Sequence, residues 1–472
     1  MILFIFFERA SLLQAQSEEL NFSPLELNTL EHFTSPTPNW TIAGDVLMDL
    51  NMSLNVQPKS GTGILVNGSG ADNPQDIYTA WEHGDLDIEL EFMMANESNS
   101  GIYLQGRYEI QLMDSWGVQN PRFSDLGGIY QWWENDKGVG GIAPRLNVAR
   151  APGLWQDLSI KFRAPRFNEN GEKIAHAKLS EVRLNGVMIH ENVTLIHPTG
   201  GAISNEEAET GPLRFQGDHG PVAFKNIKYK KYEQPLDNNS ELPERYQNSS
   251  QMVKIGNEPE VLHGFMKLGD RIFPHSAAVG YPGGINYALD LNSGSLLKIW
   301  KGEFINASPM WRGRGGGNLG ISEAAITISV SPTVAYLDGE NSVWPDSVQQ
   351  SDNYTFKNFR YEDKGTVVFN YQLGEIAIQD RVAPRNNNRE LTRNLRFHSE
   401  IPPEGLHVLL ASGKSISRVS HGFYEIDDKT YYVSLSDKSG NKARIRSTAS
   451  GQELVVPVMK ANASSLSYSL IW

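Results

Sequence analysis

Apolar and polar residues alternate with a period of two over much of this chain, which predicts strands rather than helices. In residues 85–94 (DLDIELEFMM), Leu86, Ile88, Leu90 and Phe92 share one face, while Asp85, Asp87, Glu89 and Glu91 share the other. Residues 101–113 (GIYLQGRYEIQLM) read as one longer strand of the same kind. Ile102, Leu104, Tyr108, Ile110 and Leu112 have one parity, and Tyr103, Gln105, Arg107, Glu109 and Gln111 have the other. Further strands are predicted at 158–163, 212–216 and 222–232, with Gly- and Pro-rich breaks at 61–76, 117–128, 138–153 and 198–212. Repeated antiparallel strands with one apolar face fit two sheets packed as a sandwich.

Between 233 and 258 the apolar period disappears and Pro, Asn, Ser and Glu dominate, which reads as a linker. Strand-like runs return at 284–300, 324–337, 365–372 and 406–411, with a hairpin turn expected at Asn292–Gly294. The expected organisation is therefore an N-terminal extension at 1–20, a β-sandwich at 21–232, a linker at 233–258 and a second β-rich domain at 259–472. The fold class is mainly β.

Composition narrows the function. The 472 residues include no cysteine, which excludes disulfides, zinc-thiolate sites, iron–sulfur clusters, thiol nucleophiles and covalently attached haem. A net charge of −13 gives no general attraction to nucleic acid. No stretch reaches the 18 or more apolar residues of a membrane-spanning helix. Residues 1–16 (MILFIFFERASLLQAQ) have a short apolar run broken by Glu8 and Arg9. They read either as a degraded signal peptide or as an ordinary extension. Export to the periplasm or cell exterior is the expectation.

The polar parity of 101–113 is the most informative surface. Tyr103, Gln105, Arg107, Glu109 and Gln111 form a row of rigid hydrogen-bonding groups suited to a polyhydroxylated ligand, although a simply solvated strand face has the same pattern. Asp114 and Trp116 follow at the strand's end, and QWWEND (131–136) adds Trp132 and Trp133. Tryptophan beside carboxylates and amides suits the apolar C–H faces of sugar rings, while one of Trp132 and Trp133 is expected in the core. A second cluster, RFQGDHG (214–220), places Gln216, Asp218 and His219 at the end of another strand. Histidine titrates nearest neutral pH and serves as acid or base, and the alternative is a structural turn. The acidic face Asp87, Glu89 and Glu91 reads as a solvated strand, not a glycosidase pair. GRGGG (313–317) lacks the context of a phosphate loop, and no G-x-S-x-G elbow is present.

Three segments, SGIYLQGRYEIQLMDSWG (100–117), APRLNVARAPGLWQ (143–156) and FQGDHGPVAFKNIKYK (215–230), resemble the 3-keto-disaccharide hydrolase domain family over residues 40–232. That resemblance implies a concanavalin-like jelly-roll β-sandwich, related in shape to glycoside hydrolase family 16, acting on sugars oxidised at C3. It adds Arg145 to the candidate substrate-binding residues. Glu109 and His219 lie on matching motifs and are the catalytic candidates, Glu109 as base and His219 as acid or partner, with Arg107, Gln111 and Gln216 as donors. Arg214 stands where relatives often have an amide or apolar residue. No haem or nucleotide is expected, and a divalent cation such as calcium is a candidate among Asp114, Asp125 and neighbours. The second half resembles a companion β domain with no assigned chemistry. The competing expectation is a non-catalytic carbohydrate-binding or adhesive surface protein.

Overall fold

The alternating segments form strands, and the chain is almost entirely β. In the computed structural model it divides into two units, residues 1–241 and 242–472. Described are residues 22–34, 36–68, 72–236, 251–311, 317–339, 342–348, 353–362, 365–400, 404–436, 442–458 and 463–472. The N-terminal extension, most of the linker and most of GRGGG lie outside the described residues.

Among the described residues two large antiparallel sheets build the first unit, beside two short two-stranded ones. A five-stranded sheet runs in the order Phe33–Thr34, Ile77–His83, Gly211–Phe215, Asn99–Leu104, Tyr108–Met113. An eight-stranded sheet runs Val187–Leu195, Ala177–Leu184, Trp155–Arg163, Leu86–Met94, Val222–Lys231, Gln57–Asn67, Trp40–Leu47, with Ser23–Pro24 also on Val222–Lys231. Their apolar faces share one core. Ile102, Leu104, Tyr108, Ile110, Leu112, Leu213 and Phe215 come from the smaller sheet, and Leu86, Ile88, Leu90, Phe92, Ile160, Phe162 and Phe224 from the larger. Each such fully buried side chain stabilises the sandwich by roughly 1.5–3 kcal/mol relative to exposure. The opposite face of Leu86–Met94 is acidic as expected, but several of its carboxylates are paired. Asp87 accepts from Arg163 Nη1 at 2.8 Å and from the Tyr232 hydroxyl at 2.8 Å. Asp85 takes Arg166 Nη2 on both oxygens at 2.9 and 2.7 Å.

The reading of 101–113 as one strand is corrected. It is a hairpin, Asn99–Leu104 against Tyr108–Met113, turning at Gln105 (φ 52°) and Gly106 (φ 63°), with the Arg107 N–H donating to Leu104 O at 2.9 Å. Two positive φ values in succession make a primed turn, which the twist of a hairpin favours. Parity is kept through the fold-back because Tyr103 pairs with Glu109 and Leu104 with Tyr108, so even residues still face with even.

His83 locks this turn. Its Nε2 accepts the Gln105 N–H at 3.0 Å, and its Nδ1 lies 2.8 Å from Gly84 O. Both contacts are satisfied only by the neutral ring protonated on Nδ1. Burial pushes the imidazole down to about 4.

The second unit contains, among the described residues, a five-stranded sheet (Glu260–Leu268, Arg271–Gly280, Ile285–Asp290, Leu296–Lys301, Ile326–Thr327). A four-stranded sheet joins Val334–Tyr336, Leu406–Gly413, Gly451–Pro457 and Arg444–Thr448. An eight-stranded sheet begins with the meander Tyr354–Glu362, Thr366–Leu373, Ile376–Arg385, Glu390–His398 and continues through Ala463–Ile471. The expected hairpin turn at Asn292–Gly294 lies between the paired strands Ile285–Asp290 and Leu296–Lys301. Within this unit Arg393 is held by Asp380 through Nε–Oδ1 (3.0 Å) and Nη2–Oδ2 (2.7 Å), with Gly294 O also accepting from Nη2 at 2.7 Å. The two side chains are 2% and 1% exposed.

Two outcomes follow from these locks. Because the folded imidazole of His83 resists protonation, the unfolded chain takes up a proton first as pH falls below 6.5. The first unit therefore loses about 3 kcal/mol between pH 6.5 and 4, read as a falling urea midpoint, and the slope flattens in His83→Gln. Asp380→Ala strands a buried guanidinium and lowers the second unit's stability by about 3–5 kcal/mol. The double variant Asp380→Leu/Arg393→Met is damaged less than the single one in the same denaturation assay.

Candidate active site

With the even-numbered residues of the hairpin in the core, the odd ones emerge together on the outer face of the five-stranded sheet. Strand pairing aligns Thr34, Tyr78, Arg214, Tyr103 and Glu109 in one row across all five strands. In the neighbouring row Gly101 faces Gln111, and the Gln216 N–H donates to Gly101 O at 2.9 Å. Gly101 leaves the space that Glu109 fills: a Cβ at that position would lie 2.3 Å from Glu109 Oε1.

Charges converge on this carboxyl. Arg214 pairs with Asp76 (Nη2–Oδ2 2.5 Å), donates to Gly201 O, and stacks its guanidinium 4.1 Å from the Tyr103 ring. Asp76 Oδ1 accepts the Gly217 N–H at 2.8 Å. The Tyr103 hydroxyl hydrogen-bonds Glu109 and donates to Gly200 O at 3.2 Å. Burial pushes the Glu109 carboxyl up to about 8. The Tyr103 hydrogen bond and Arg214 oppose that shift, while Asp76 and Asp218 reinforce it. Burial thus favours the protonated carboxyl, a proton donor, over the ionised base that the sequence suggests.

Asp218 and His219 stand at the surface, their side chains 46% and 50% exposed, with Asp218 Oδ1 2.5 Å from His219 Nδ1. That contact presents the other ring nitrogen, Nε2, as a base. Asp218 contributes to the Glu109 shift, but the strands Gly211–Phe215 and Tyr108–Met113 lie on opposite sides of Asn99–Leu104, and Glu109 is covered. A polar cavity of about 290 Å³ lies against Asp218 and Asp76, lined also by Asn73, Pro74 and Gln75. Beside the site, Gln216 Oε1 and Arg214 Nε are buried with no hydrogen-bond partner. Such atoms mark places where a ligand or water completes the bonding. Glu109 itself is only 2% exposed.

The other sequence candidates are placed differently. Gln105 and Arg107 sit at the hairpin tip and hold the 203–210 loop: Gln105 Nε2 donates to Glu209 O (2.8 Å) and Arg107 Nε to Glu206 O (2.7 Å). Gln111 Nε2 donates to Asn99 Oδ1 at 2.7 Å. Asp114 accepts the N–H groups of Glu97 and Trp116, a turn-capping arrangement, and Asp125 accepts that of Arg122. Among the described residues no group of three or more His, Asp or Glu side chains is arranged to hold a metal ion. Trp132 stacks on His197 (5.8 Å, 20°), whereas Trp133 is exposed. Arg145 donates to Met188 O on the edge strand Val187–Leu195 of the larger sheet. Sequence reasoning missed Asp76, Tyr78 and the Gly200–Gly201 turn. The first two carried a signal, because Asp76-Ile77-Tyr78 alternates into a strand in register with Arg214.

Residues 30–230 match the 3-keto-alpha-glucoside-1,2-lyase-like domain. This domain contains the whole polar row, together with Asp218 and His219, and its name denotes carbohydrate chemistry. No curated protein matches the chain. Among solved structures, a candidate glycosyl hydrolase from Parabacteroides distasonis is similar at 24% identity, covering 45% of this chain and 84% of its own, with a TM-score of 0.32. A second from the same organism has 19% identity, covering 45% and 99%, with a TM-score of 0.30. A carbohydrate-binding module from Bacillus subtilis has 9% identity, covering 41% and 96%, with a TM-score of 0.22.

The raised Glu109 carboxyl fixes a pH dependence of stability. Below pH 4.5 both folded and unfolded states hold the proton and the group contributes nothing. From 4.5 to about 8 only the unfolded chain ionises, so folding is disfavoured progressively, by about 5 kcal/mol at the limit. Glu109→Gln keeps the shape of the neutral acid without this cost. Its first unit melts higher than wild type at pH 8–9 and equally at pH 4, as followed by calorimetry.

Proposed function

We propose that the first unit cleaves glycosides bearing a ketone at C3, by elimination followed by addition of water. The ketone acidifies the hydrogen on C2. His219 Nε2, its ring oriented by Asp218, removes that proton. The electron pair forms the C1=C2 bond as the C1–O bond to the leaving group breaks, and the Glu109 carboxyl protonates the departing oxygen. Water then adds across C1=C2, returning hydrogen to C2 and hydroxyl to C1. This route needs one base and one acid with different proton affinities, not the carboxylate pair of an ordinary glycosidase. What supports it is a buried carboxyl, raised by its burial, in the same sheet as an exposed Asp–His pair, within a domain matched to lyase-type keto-sugar chemistry. One observation favours the alternative of non-catalytic sugar binding. Glu109 is almost wholly covered, while the exposed groups beside it suffice to hold hydroxyls.

Incubation of the full chain with a 3-keto-disaccharide in D₂O separates these roles. Wild type releases the leaving sugar and exchanges deuterium at C2. His219→Ala loses both, by about 10²–10⁴-fold. Glu109→Gln retains C2 exchange but slows release, and wild-type release declines above about pH 8 as the acid ionises. Wild type that binds sugars but neither exchanges nor releases supports the binding reading. Unchanged turnover in both variants overturns the catalytic assignment.

A further inference from the structure

Trp133 is the exposed member of an adjacent tryptophan pair. It lies on the short hairpin Trp132–Glu134/Lys137–Val139, where alternation turns Trp132 onto His197 and leaves Trp133 58% exposed. An exposed large apolar side chain standing alone is ordinary. The surroundings of this one are specific. The residue opposite it across the hairpin is Gly138, whose missing side chain leaves room that the Gln131 side chain fills. Its Nε1 edge rests on Gly200, where an added Cβ would come within 3.2 Å of that nitrogen and within 3.3 Å of Tyr130.

Gly200 connects the indole to the proposed chemistry. Its N–H donates to Gln131 O at 2.7 Å, and its O accepts from the Tyr103 hydroxyl, which hydrogen-bonds Glu109. The path from the open indole to the acid is thus one backbone carbonyl and one phenol long. In the proposed reaction Glu109 protonates the leaving oxygen, so groups beyond it on the Gly200 side belong to the leaving group.

We propose that Trp133 is the stacking platform for the ring attached at the leaving oxygen, so that the preferred substrates carry a cyclic leaving group, a second pyranose or an aromatic ring, instead of a small alkyl group. This rests on the elimination reading above. Stacking of an apolar ring face on an indole gives shape selectivity with no demand for charge on the ligand. Trp132, packed against His197, is the support of this hairpin.

The test compares methyl, phenyl and glucosyl 3-keto-glucosides with wild type, Trp133→Phe and Trp133→Ala. Expected is a loss in Trp133→Ala of about tenfold in kcat/KM, mainly through KM, for the phenyl and glucosyl substrates. The methyl glycoside changes less than twofold, and Trp133→Phe recovers most of the loss. Equal losses on all three substrates, or no loss on any, overturn the platform. If wild type turns over none of them, the elimination reading fails instead. The platform is then judged by indole fluorescence: quenching by the disaccharide that disappears in Trp133→Phe, and is absent with the methyl glycoside, upholds it, and identical titrations in both proteins overturn it.

Discussion

An antiparallel strand that buries one set of alternate side chains has no freedom over where the other set goes. Ile102, Leu104, Tyr108, Ile110 and Leu112 must enter the core shared by the two sheets, and this single demand raises Tyr103, Glu109 and Gln111 together on the outer face. A slip of one residue in either hairpin strand would exchange the two sets. The hydrophobic stripe therefore fixes the position of the polar chemistry, and Arg214 joins the row because its own strand obeys the same rule through Leu213 and Phe215.

What Glu109 becomes there is a contest between desolvation and charge. A nearby guanidinium would ordinarily hold a carboxyl in its ionised form. Arg214 is already engaged by Asp76, so its influence on Glu109 is largely offset, and Asp218 adds a further negative charge close by. Burial then decides the outcome. The same strand pairing thus leaves a sheltered carboxyl in the row, while the exposed Asp218–His219 contact follows the end of the Gly211–Phe215 strand.

The strand faces were legible in the sequence because alternation is local, whereas the order of strands that puts Arg214 in one row with Tyr103 and Glu109 leaves no local pattern. The turn at Gln105–Gly106 was hidden, since glutamine at a positive φ is uncommon and the uninterrupted parity imitated a single strand. Gln105 and Arg107 looked like ligand-facing groups for the same reason. Their real partners, the carbonyls of Glu206 and Glu209, lie about a hundred residues away and leave no periodic trace. On the acidic face of 85–91 only Glu89 is exposed as a solvated strand requires; Asp85 and Asp87 are buried against Arg166 and Arg163, partners too distant in the chain to leave a local pattern. The exposure of Trp133 over Trp132 also needed coordinates, because both residues occur in the same short loop-like segment and parity alone assigns no inside.

In a chain without cysteine, the Asp380–Arg393 pair ties two neighbouring strands of the second unit at a point that mobile ions do not reach. Dissolved electrolyte weakens attraction between charges bathed in solvent, with a range of about 8 Å at physiological ionic strength, but acts far less on a dry pair. This clasp consequently keeps its hold in brine, where the solvent-facing Lys59–Asp45 contact of the first unit relaxes.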